Sequence, residues 1–219
     1  MSRISRFEGI FNNLDKFHFH MLGCGAIGSS AATQLARSGA ENFTLYDYDK
    51  VSMENIGVSQ YTISDIGKPK TNVLSDYLYE ICQNPNILAI ERKFKDKDQY
   101  VSYGNDIIVL GFDNMSSRLQ AVEIACSVKR LKPIILIDGR MGAQTYQQYA
   151  FVKPTISKYK KCWYEDHEGS EEPCTAKATS YCSNMAGSFI TNSVTKMVNK
   201  QPYEKEILFH FPSMTLTAK

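Results

Sequence analysis

A glycine-rich turn near the start of the chain constrains the fold more than any other feature. Its sequence is Gly23-Cys24-Gly25-Ala26-Ile27-Gly28. The apolar alternation before it, residues 17–22, predicts a strand, and residues 29–38 predict a helix that ends at Gly39. A second apolar run, residues 43–46, is followed by Asp47. The order of strand, glycine turn, helix, strand and acid predicts a βαβ unit that binds a nucleotide.

Each part of this unit has a physical role in holding a nucleotide. The first glycine permits the tight turn, the second lets a phosphate approach the backbone, and the third lets the helix pack against the strand. The helix N-terminus offers unpaired N–H groups and a partial positive charge to the phosphates. Asp47 stands where a carboxylate accepts hydrogen bonds from ribose hydroxyls. A glycine turn kept only for packing is the alternative.

The rest of the chain continues the alternation of strands and helices. A helix is predicted over residues 70–82, where apolar side chains recur at helical spacing, and another over 116–129. Further strands are predicted over residues 87–94, 106–110 and 134–137. The pattern predicts an α/β fold: a doubly wound, Rossmann-like, mostly parallel sheet with helices on both faces and a long crossover loop.

Three regions follow from this pattern. Residues 1–152 form the predicted nucleotide-binding core, in which residues 139–142 turn the chain into an antiparallel strand over 144–152. Residues 153–184, rich in Pro, Lys, Glu, Gly and Ser, are predicted to be a mobile crossover loop. Residues 185–219 complete the same domain with a helix and an edge strand.

Composition limits the classes of function. The chain has 219 residues, 43% of them hydrophobic, and a net charge of +2, which favours neither nucleic acid nor a membrane as partner. No apolar run is long enough to span a bilayer, and no apolar segment follows the basic N-terminus as a signal peptide requires. We therefore expect a cytoplasmic protein whose six cysteines are reduced.

Three charged residues at predicted element ends suit a phosphate ligand. Lys70 opens a helix and can reach phosphates, or it is an exposed first-turn lysine. Asp113 directly follows a buried strand and can hold Mg²⁺, or it caps the next helix, a role that Asn114 or Ser116 can also fill. Arg118 can pair with Asp113 or face an anionic ligand.

Taken in order, these motifs resemble the ThiF/MoeB/HesA family of adenylating enzymes related to ubiquitin-activating enzymes. The resemblance covers roughly residues 1–150. Its motifs are the glycine turn, Asp47-Tyr48-Asp49-Lys50-Val51, Glu54-Asn55-Ile56, Asp65-Ile66-Gly67-Lys68-Pro69-Lys70, Asn84-Pro85, and Asp113-Asn114 with Arg118.

The resemblance implies binding of MgATP and adenylation of a carboxylate, typically the C-terminal glycine of a ubiquitin-like protein or peptide. It also suggests a homodimer. By the resemblance, the glycine turn holds the phosphates, Asp47 the ribose and Asp113 the Mg²⁺, while Asn55 and Lys70 line the phosphate site. The implied nucleotide-binding residues are Gly23, Gly25, Ala26, Ile27, Gly28, Asp47, Asp49, Asn55, Lys70, Asp113 and Asn114. The implied catalytic residues are Asp113, Lys70, Arg118 and Cys174.

The chain departs from the family pattern in three places. The arginine expected shortly after Asn55 is missing from Asn55-Ile56-Gly57-Val58-Ser59-Gln60, unless Arg140 or Lys68 replaces it. The paired Cys-x-x-Cys motifs of the family's structural zinc are absent, although an irregular site from Cys162, His167, Cys174 and Cys182 stays open. An N-terminal arginine that enters a partner's site would have to be Arg3 or Arg6.

The fate of an adenylate is open at this stage. Cys174 stands in a loop before a helix, where a thiol can act as the nucleophile that accepts the activated carboxylate, or it is an ordinary loop cysteine. Two other classes of function also stay open. One is a non-catalytic nucleotide-binding scaffold or heterodimer subunit, and the other is a nicotinamide-dependent oxidoreductase, which Asp47 would also suit.

Overall fold

A computed structural model describes residues 3–7, 9–11, 13–168 and 178–219. The described chain forms one eight-stranded sheet in the order β3-β2-β1-β4-β5-β6-β7-β8. The strands are β1 (His18–Leu22), β2 (Asn42–Tyr46), β3 (Asn86–Ile90), β4 (Asp106–Leu110), β5 (Ile135–Gly142), β6 (Thr145–Val152), β7 (Glu206–His210) and β8 (Thr215–Ala218). The helices are α1 (Ala26–Arg37), α2 (Met53–Ile56), α3 (Lys70–Tyr79), α4 (Met115–Ser127), α5 (Ile156–Tyr159) and α6 (Ser180–Val198). Short 3-10 turns lie at Leu14–Lys16, Ile63–Asp65, Lys97–Gln99 and Asp166–Glu168.

The predicted fold class is confirmed. Strands β1 to β5 pair in parallel, with β1 between β2 and β4, so the strand order reverses direction at β1. The carboxyl ends of β1 and β4 are therefore the switch point at which doubly wound sheets bind ligands. Strands β5 to β8 pair antiparallel and extend the sheet on one side.

The two faces of the sheet carry separate apolar cores. Along β1, Phe19 and Met21 belong to the core that α1, α3 and α6 cover, whereas Leu22 belongs to the core beneath α4 and Tyr159 of α5. Every residue of β1 and β4 is buried. Both strands are therefore covered on both faces, which is what near-continuous apolar strands of parallel sheets require.

The structure corrects the prediction at residues 139–142, in the crossover loop and in the tail. The predicted turn at residues 139–142 is the second half of β5, because the glycine at its start fills a crowded strand position. A Cβ on Gly139 would lie 3.2 Å from a side-chain carbon of Ile27 and 3.3 Å from one of Ile190. The predicted crossover loop contains the short helix α5, and α6 already begins at Ser180. The tail strand β7 is internal, because β8 covers its outer side.

No helix in the described part of the chain combines the length and the apolar character needed to cross a membrane.

Candidate functional site

The glycine turn joins β1 to α1 at the carboxyl edge of the parallel strands. Gly23 has φ of +95°, a conformation that L side chains rarely adopt, and a Cβ there would lie 2.8 Å from the carbonyl oxygen of Gly111. A Cβ on Gly28 would lie 1.8 Å from the carbonyl oxygen of Gly23. Both glycines are therefore fixed by close backbone approach, the first to the end of β4 and the second to the turn itself.

Gly25 differs from these two glycines because it faces open space. A Cβ built on Gly25 would meet no heavy atom within 4 Å. Gly25 is also the N-cap residue of α1, and no side chain caps that helix end. Backbone N–H groups at the start of α1 are thus left for an anion, and the absence of a side chain at Gly25 lets a phosphate come close.

Asp47 lies at the end of β2 and ties the glycine turn to the next loop. One carboxylate oxygen accepts the backbone N–H of Cys24 at 2.8 Å, and the other accepts that of Asp49 at 2.9 Å. Burial raises the pKa of the Asp47 carboxyl, and these two hydrogen bonds oppose the rise. Only 9% of the residue is exposed, so Asp47 is a largely buried carboxylate at the end of β2, where the ribose is predicted.

Lys70 at the start of α3 lies beside the same turn. Its ammonium is 3.0 Å from the carboxylate of Asp49, and the residue is only 7% exposed. The Tyr61 hydroxyl contacts the carbonyl oxygens of Cys24 and Lys70 and so joins the glycine turn to α3. The predicted exposed first-turn lysine is therefore excluded: Lys70 is a buried cation with a carboxylate partner.

Asn55 has a local role in the short helix α2. Its side-chain oxygen accepts the backbone N–H of Ser52 at 3.0 Å and the Ser52 hydroxyl at 3.2 Å, which makes it part of a capping box. The side-chain nitrogen donates no hydrogen bond to the described residues, so it has its donors left for a ligand.

Asp113 and Asn114 follow β4, and Asn114 rather than Asp113 caps the next helix. Asn114 caps α4, because its side-chain oxygen accepts the backbone N–H of Ser117 at 2.8 Å and the Ser116 hydroxyl at 2.9 Å. Asp113 is exposed and accepts one hydrogen bond from the Asn114 side chain at 2.9 Å. The helix therefore does not need Asp113 as its cap, and this carboxylate remains available at the surface.

Arg118 does not make the predicted pair with Asp113. Its guanidinium is buried and donates to the carboxylate of Asp138 and to the carbonyl oxygen of Phe112. The same carboxylate accepts two hydrogen bonds from Arg140, at 2.9 and 2.7 Å, and one from the Tyr159 hydroxyl at 3.0 Å. Arg118 thus belongs to a buried ion-pair cluster with Asp138 and is not paired with Asp113.

This cluster also binds the segment that follows β6. Arg140 donates to the carbonyl oxygen of Cys162 at 2.9 Å, and its guanidinium lies over the rings of Tyr149 and Tyr164. Burial alone would lower the pKa of Arg140, but the Asp138 carboxylate raises it above the ordinary value. Arg140 is therefore a structural cation that fastens residues 162–164 to the sheet.

The first turn of α4 holds a second attachment of the same segment, which the sequence analysis missed. The Asp166 carboxylate accepts the backbone N–H groups of Met115 and Ser116, and the Trp163 indole donates to the carbonyl oxygen of Met115 at 2.8 Å. These contacts place residues 163–166 beside Asp113. The sequence signal was an acid and a tryptophan in a polar loop, and neither identifies its distant partner.

Arg140 and Lys68, the two candidates for the missing family arginine, both have carboxylate partners. Arg140 is bound to Asp138, and Lys68 pairs with Asp65 at 3.2 Å within its own turn. Arg3 is also occupied, since it donates to the carbonyl oxygens of Ile81 and Ala40 and pairs with Glu41 at 2.7 Å. Arg3 therefore lies near the amino ends of β2 and β3, at the opposite edge of the sheet from the glycine turn.

Cys174 was predicted both as a nucleophile and as a member of an irregular zinc site. Cys174 lies outside the described residues. The other members of the irregular zinc set do not meet: the thiol of Cys162 is 3.6 Å from Arg140, His167 pairs with Glu165, and Cys182 is buried in the core under α6. Within the described residues no three His, Cys, Asp or Glu side chains form a group that could hold a metal ion.

A cavity of about 550 Å³ with a charged lining lies beyond β3. Its lining includes Arg92, Lys93 and Gln99, and the Lys93 ammonium is 4.5 Å from the ring centre of Tyr48, the residue after Asp47. Asp47 after β2, the glycine turn after β1 and Asp113 after β4 lie at the carboxyl edge of the sheet, with Lys70 beside Asp49. Their arrangement defines the class of protein: a doubly wound α/β domain with a site for a nucleotide that carries phosphates.

The chain belongs to the ThiF family, whose model matches residues 5–218. Among curated relatives, the tRNA threonylcarbamoyladenosine dehydratase of Haemophilus influenzae is 25% identical over 196 residues, covering 79% of this chain and 74% of that protein. The NEDD8-activating enzyme E1 catalytic subunit of Arabidopsis thaliana is 29% identical over 157 residues, covering 65% of this chain but 33% of the subunit.

Among solved structures, E. coli MccB has the same fold. Its chain superposes with a TM-score of 0.75 at 20% identity, covering 94% of this chain and 62% of MccB. A second MccB structure, with ATP, gives a TM-score of 0.73 at 18% identity and covers 63% of that chain. This chain therefore spans less than two thirds of the MccB chains that it resembles.

Proposed function

We propose that the protein adenylates a carboxylate with ATP and releases pyrophosphate, and that the carboxylate is the C-terminal glycine of a ubiquitin-like protein or peptide. The observation that carries the proposal is the arrangement at the carboxyl edge of the sheet. An open glycine turn, a buried carboxylate at the ribose position, a buried lysine and an exposed carboxylate that caps no helix lie there in order. Membership of the ThiF family favours this reaction over hydride transfer.

The proposed reaction sets the tasks of these residues. A carboxylate oxygen attacks the α-phosphorus of ATP, the bond from that phosphorus to the oxygen bridging to the β-phosphate breaks, and pyrophosphate leaves with the electron pair. The N–H groups at the start of α1 and the Lys70 ammonium stabilise the negative charge that develops on the phosphates. Lys70 uses one N–H for Asp49, which leaves two of its three donors for a phosphate oxygen.

The residues present also fit a magnesium ion bound with the nucleotide. Mg²⁺ prefers oxygen ligands and is usually held by one or two carboxylates together with substrate phosphates. Asp113 supplies one exposed carboxylate of this kind. When bound, the ion would neutralise charge on the phosphates and so aid the departure of pyrophosphate.

Residues 163–166 would restrict water near the reacting groups. Trp163 and Asp166 hold this segment against the first turn of α4, next to Asp113. An acyl adenylate is readily hydrolysed, so a segment that covers the site has a protective role. If Cys174 receives the activated carboxylate as a thioester, the adenylate must be protected until that transfer.

The test is ATP–pyrophosphate exchange with purified protein and peptides that end in Gly-Gly. Wild type is compared with Asp113→Ala and with Asp76→Ala, which removes an exposed carboxylate from α3, away from the site. We expect exchange that requires the peptide, is lost in Asp113→Ala and persists in Asp76→Ala. ATP binding without exchange under any peptide would support a non-catalytic scaffold or heterodimer subunit instead.

A second candidate substrate is a carboxylate on a modified tRNA nucleoside. The Haemophilus relative is named as a dehydratase of threonylcarbamoyladenosine in tRNA. The match covers 74% of that protein, whereas the match to the E1 subunit covers 33% of the subunit. The threonyl part of that nucleoside carries a free carboxylate that the same site could activate. Exchange stimulated by total tRNA but not by glycine-ended peptides would select this substrate.

A further inference from the structure

A cavity of about 460 Å³ lies on the antiparallel side of the sheet, away from the nucleotide site. We call it the β6–β7 cavity; strands β6 and β7 form its floor, and α5 with the residues after it forms one wall. Tyr149 and Phe151 of β6 and Tyr203 before β7 supply aromatic surface to its lining. A cavity of this size accommodates a few side chains of a peptide rather than a single ion.

Positive charge dominates this cavity. Lys158, Lys161 and Lys205 line it together with a single carboxylate, that of Glu206. Glu206 is already engaged, since it accepts the Tyr149 hydroxyl at 3.3 Å. Within the described part of the chain none of the three lysines has a carboxylate within ion-pair distance.

Lysines close to the cavity, unlike the three that line it, have carboxylate partners. Lys160 lies beside Lys161 in the chain and pairs with Glu123 at 3.6 Å, and Lys196 pairs with Glu204 at 3.1 Å. Among the described residues, the Lys158 ammonium donates only to the carbonyl oxygens of Val152 and Lys153. The cavity therefore keeps a surplus of cations that its surroundings do not neutralise.

The cavity connects to the nucleotide site through side chains in contact. Tyr149 stands opposite Asp138 in the β5–β6 register, and the Arg140 guanidinium lies 4.7 Å from the Tyr149 ring centre. Arg140 binds Asp138, and Asp138 binds Arg118, which donates to the carbonyl oxygen of Phe112. The cavity and the segment after β4 therefore lie on the same face of the sheet, with Arg140, Asp138 and Arg118 buried between them.

We propose that the β6–β7 cavity binds an acidic stretch of the carboxylate substrate, upstream of the carboxylate that is activated. This inference rests on the proposed function and adds the substrate class: a protein or peptide with Asp or Glu residues before its C-terminal glycine. The aromatic floor suits peptide side chains. A nucleic-acid interface typically makes roughly six to ten phosphate contacts. Three lysines are too few for such an interface, which favours a peptide.

The test uses synthetic peptides that end in Gly-Gly and differ only upstream, one rich in Asp and Glu and one with Asn and Gln in their place. Binding is followed by fluorescence anisotropy, and ATP–pyrophosphate exchange is measured on the same samples. The variant is Lys161→Glu with Lys205→Glu. The control, Lys129→Glu with Lys132→Glu, changes net charge equally at exposed lysines elsewhere. Circular dichroism melting verifies that both variants are folded.

We expect wild type and the control to bind the acidic peptide about tenfold more tightly than the neutral one, as two surface-type ion pairs would produce. The cavity variant should lose this preference and keep its affinity for the neutral peptide. Equal affinity for the two peptides in wild type, or an unchanged preference in the cavity variant, would overturn the inference. So would a single-stranded RNA that binds through these lysines when the acidic peptide does not.

The two proposals fail separately. Exchange that both peptides support equally would leave adenylation standing and remove the acidic-substrate inference. Lysine-dependent binding of the acidic peptide without exchange would retain the cavity as a docking site and count against the reaction.

Discussion

The three glycines of the turn should respond differently to alanine, and Gly28 gives the sharpest contrast with Gly25. The Cβ of Gly28→Ala would lie 1.8 Å from the carbonyl oxygen of Gly23, and the nearby atoms are backbone. Ordinary contact needs about 3.4 Å, so α1 and the turn must separate by about 1.6 Å. Overpacking of this kind costs about 1–3 kcal/mol or more. We expect Gly28→Ala to lower the free energy of unfolding by at least that amount.

Gly25→Ala should leave the fold stable and weaken the binding of ATP. No atom lies within 4 Å of the added Cβ, and φ of Gly25 is −76°, which alanine tolerates. The change in stability should therefore stay within about 1 kcal/mol. The methyl group would occupy the phosphate approach. Loss of one hydrogen bond to a charged group costs about 1.5–3 kcal/mol, so ATP affinity should fall at least tenfold.

Urea unfolding followed by circular dichroism measures the stability of both variants, and isothermal titration calorimetry measures ATP binding. The reasoning would be refuted by a Gly28→Ala protein as stable as wild type. It would also be refuted by a Gly25→Ala protein that binds ATP with wild-type affinity.

Three further perturbations test other parts of the structure. Asp138→Asn leaves Arg118 and Arg140 buried without their carboxylate, so urea unfolding should show a loss of about 3–5 kcal/mol; a loss under 1 kcal/mol would contradict the cluster's role. Asn114→Ala removes the cap of α4 and should cost about 1 kcal/mol by the same assay, with no loss expected if Asp113 caps the helix instead. Burial is the larger cause, and the neighbouring His20 the smaller, of a fall in the pKa of His18 from 6.5 to about 4. Asp106 opposes this fall. The folded protein therefore binds the proton less readily than the unfolded chain, and stability should fall by about 3 kcal/mol as pH drops from 6.5 through 4. His18→Phe, which keeps an aromatic ring beside Tyr103, should flatten that part of the pH profile, and an unchanged slope would exclude His18 as its source.

The nucleotide-binding half of the fold was predictable because its signals are local. The apolar run Asp106–Leu110 was predicted to the residue, and the glycine turn fixed the strand before it and the helix after it. Gly28 is required by a close approach within the turn itself, and Gly23 has a backbone angle that glycine alone readily takes. Periodicity and turn chemistry act over a few residues, so they report such elements well.

The buried charges were not predictable in the same way. Arg118 and Asp138 are 20 residues apart, on a helix and a strand, and only packing of α4 against the sheet brings them together. Asp166 reaches the first turn of α4 across 51 positions. Side-chain pairing over such separations depends on the tertiary fold, so the sequence alone offered Asp113 or an anionic ligand as the partner of Arg118 and not Asp138.

The sequence also predicted a turn at a glycine through which the strand in fact continues. The Gly139 position reads as a turn signal, yet it lies inside β5 because the side chains of Ile27 and Ile190 leave little room above it. A glycine in a strand often marks such a close approach, and only the packed structure distinguishes it from a turn.

The most direct test of the account is ATP binding measured by isothermal titration calorimetry with and without Mg²⁺, in wild type and in Asp113→Asn. The account predicts that wild type binds ATP and that Mg²⁺ tightens the binding. Asp113→Asn should still bind ATP through the glycine turn but should lose most of the effect of Mg²⁺. Wild type that binds no ATP, or a variant whose response to Mg²⁺ equals that of wild type, would contradict the assignment of this edge of the sheet as a MgATP site.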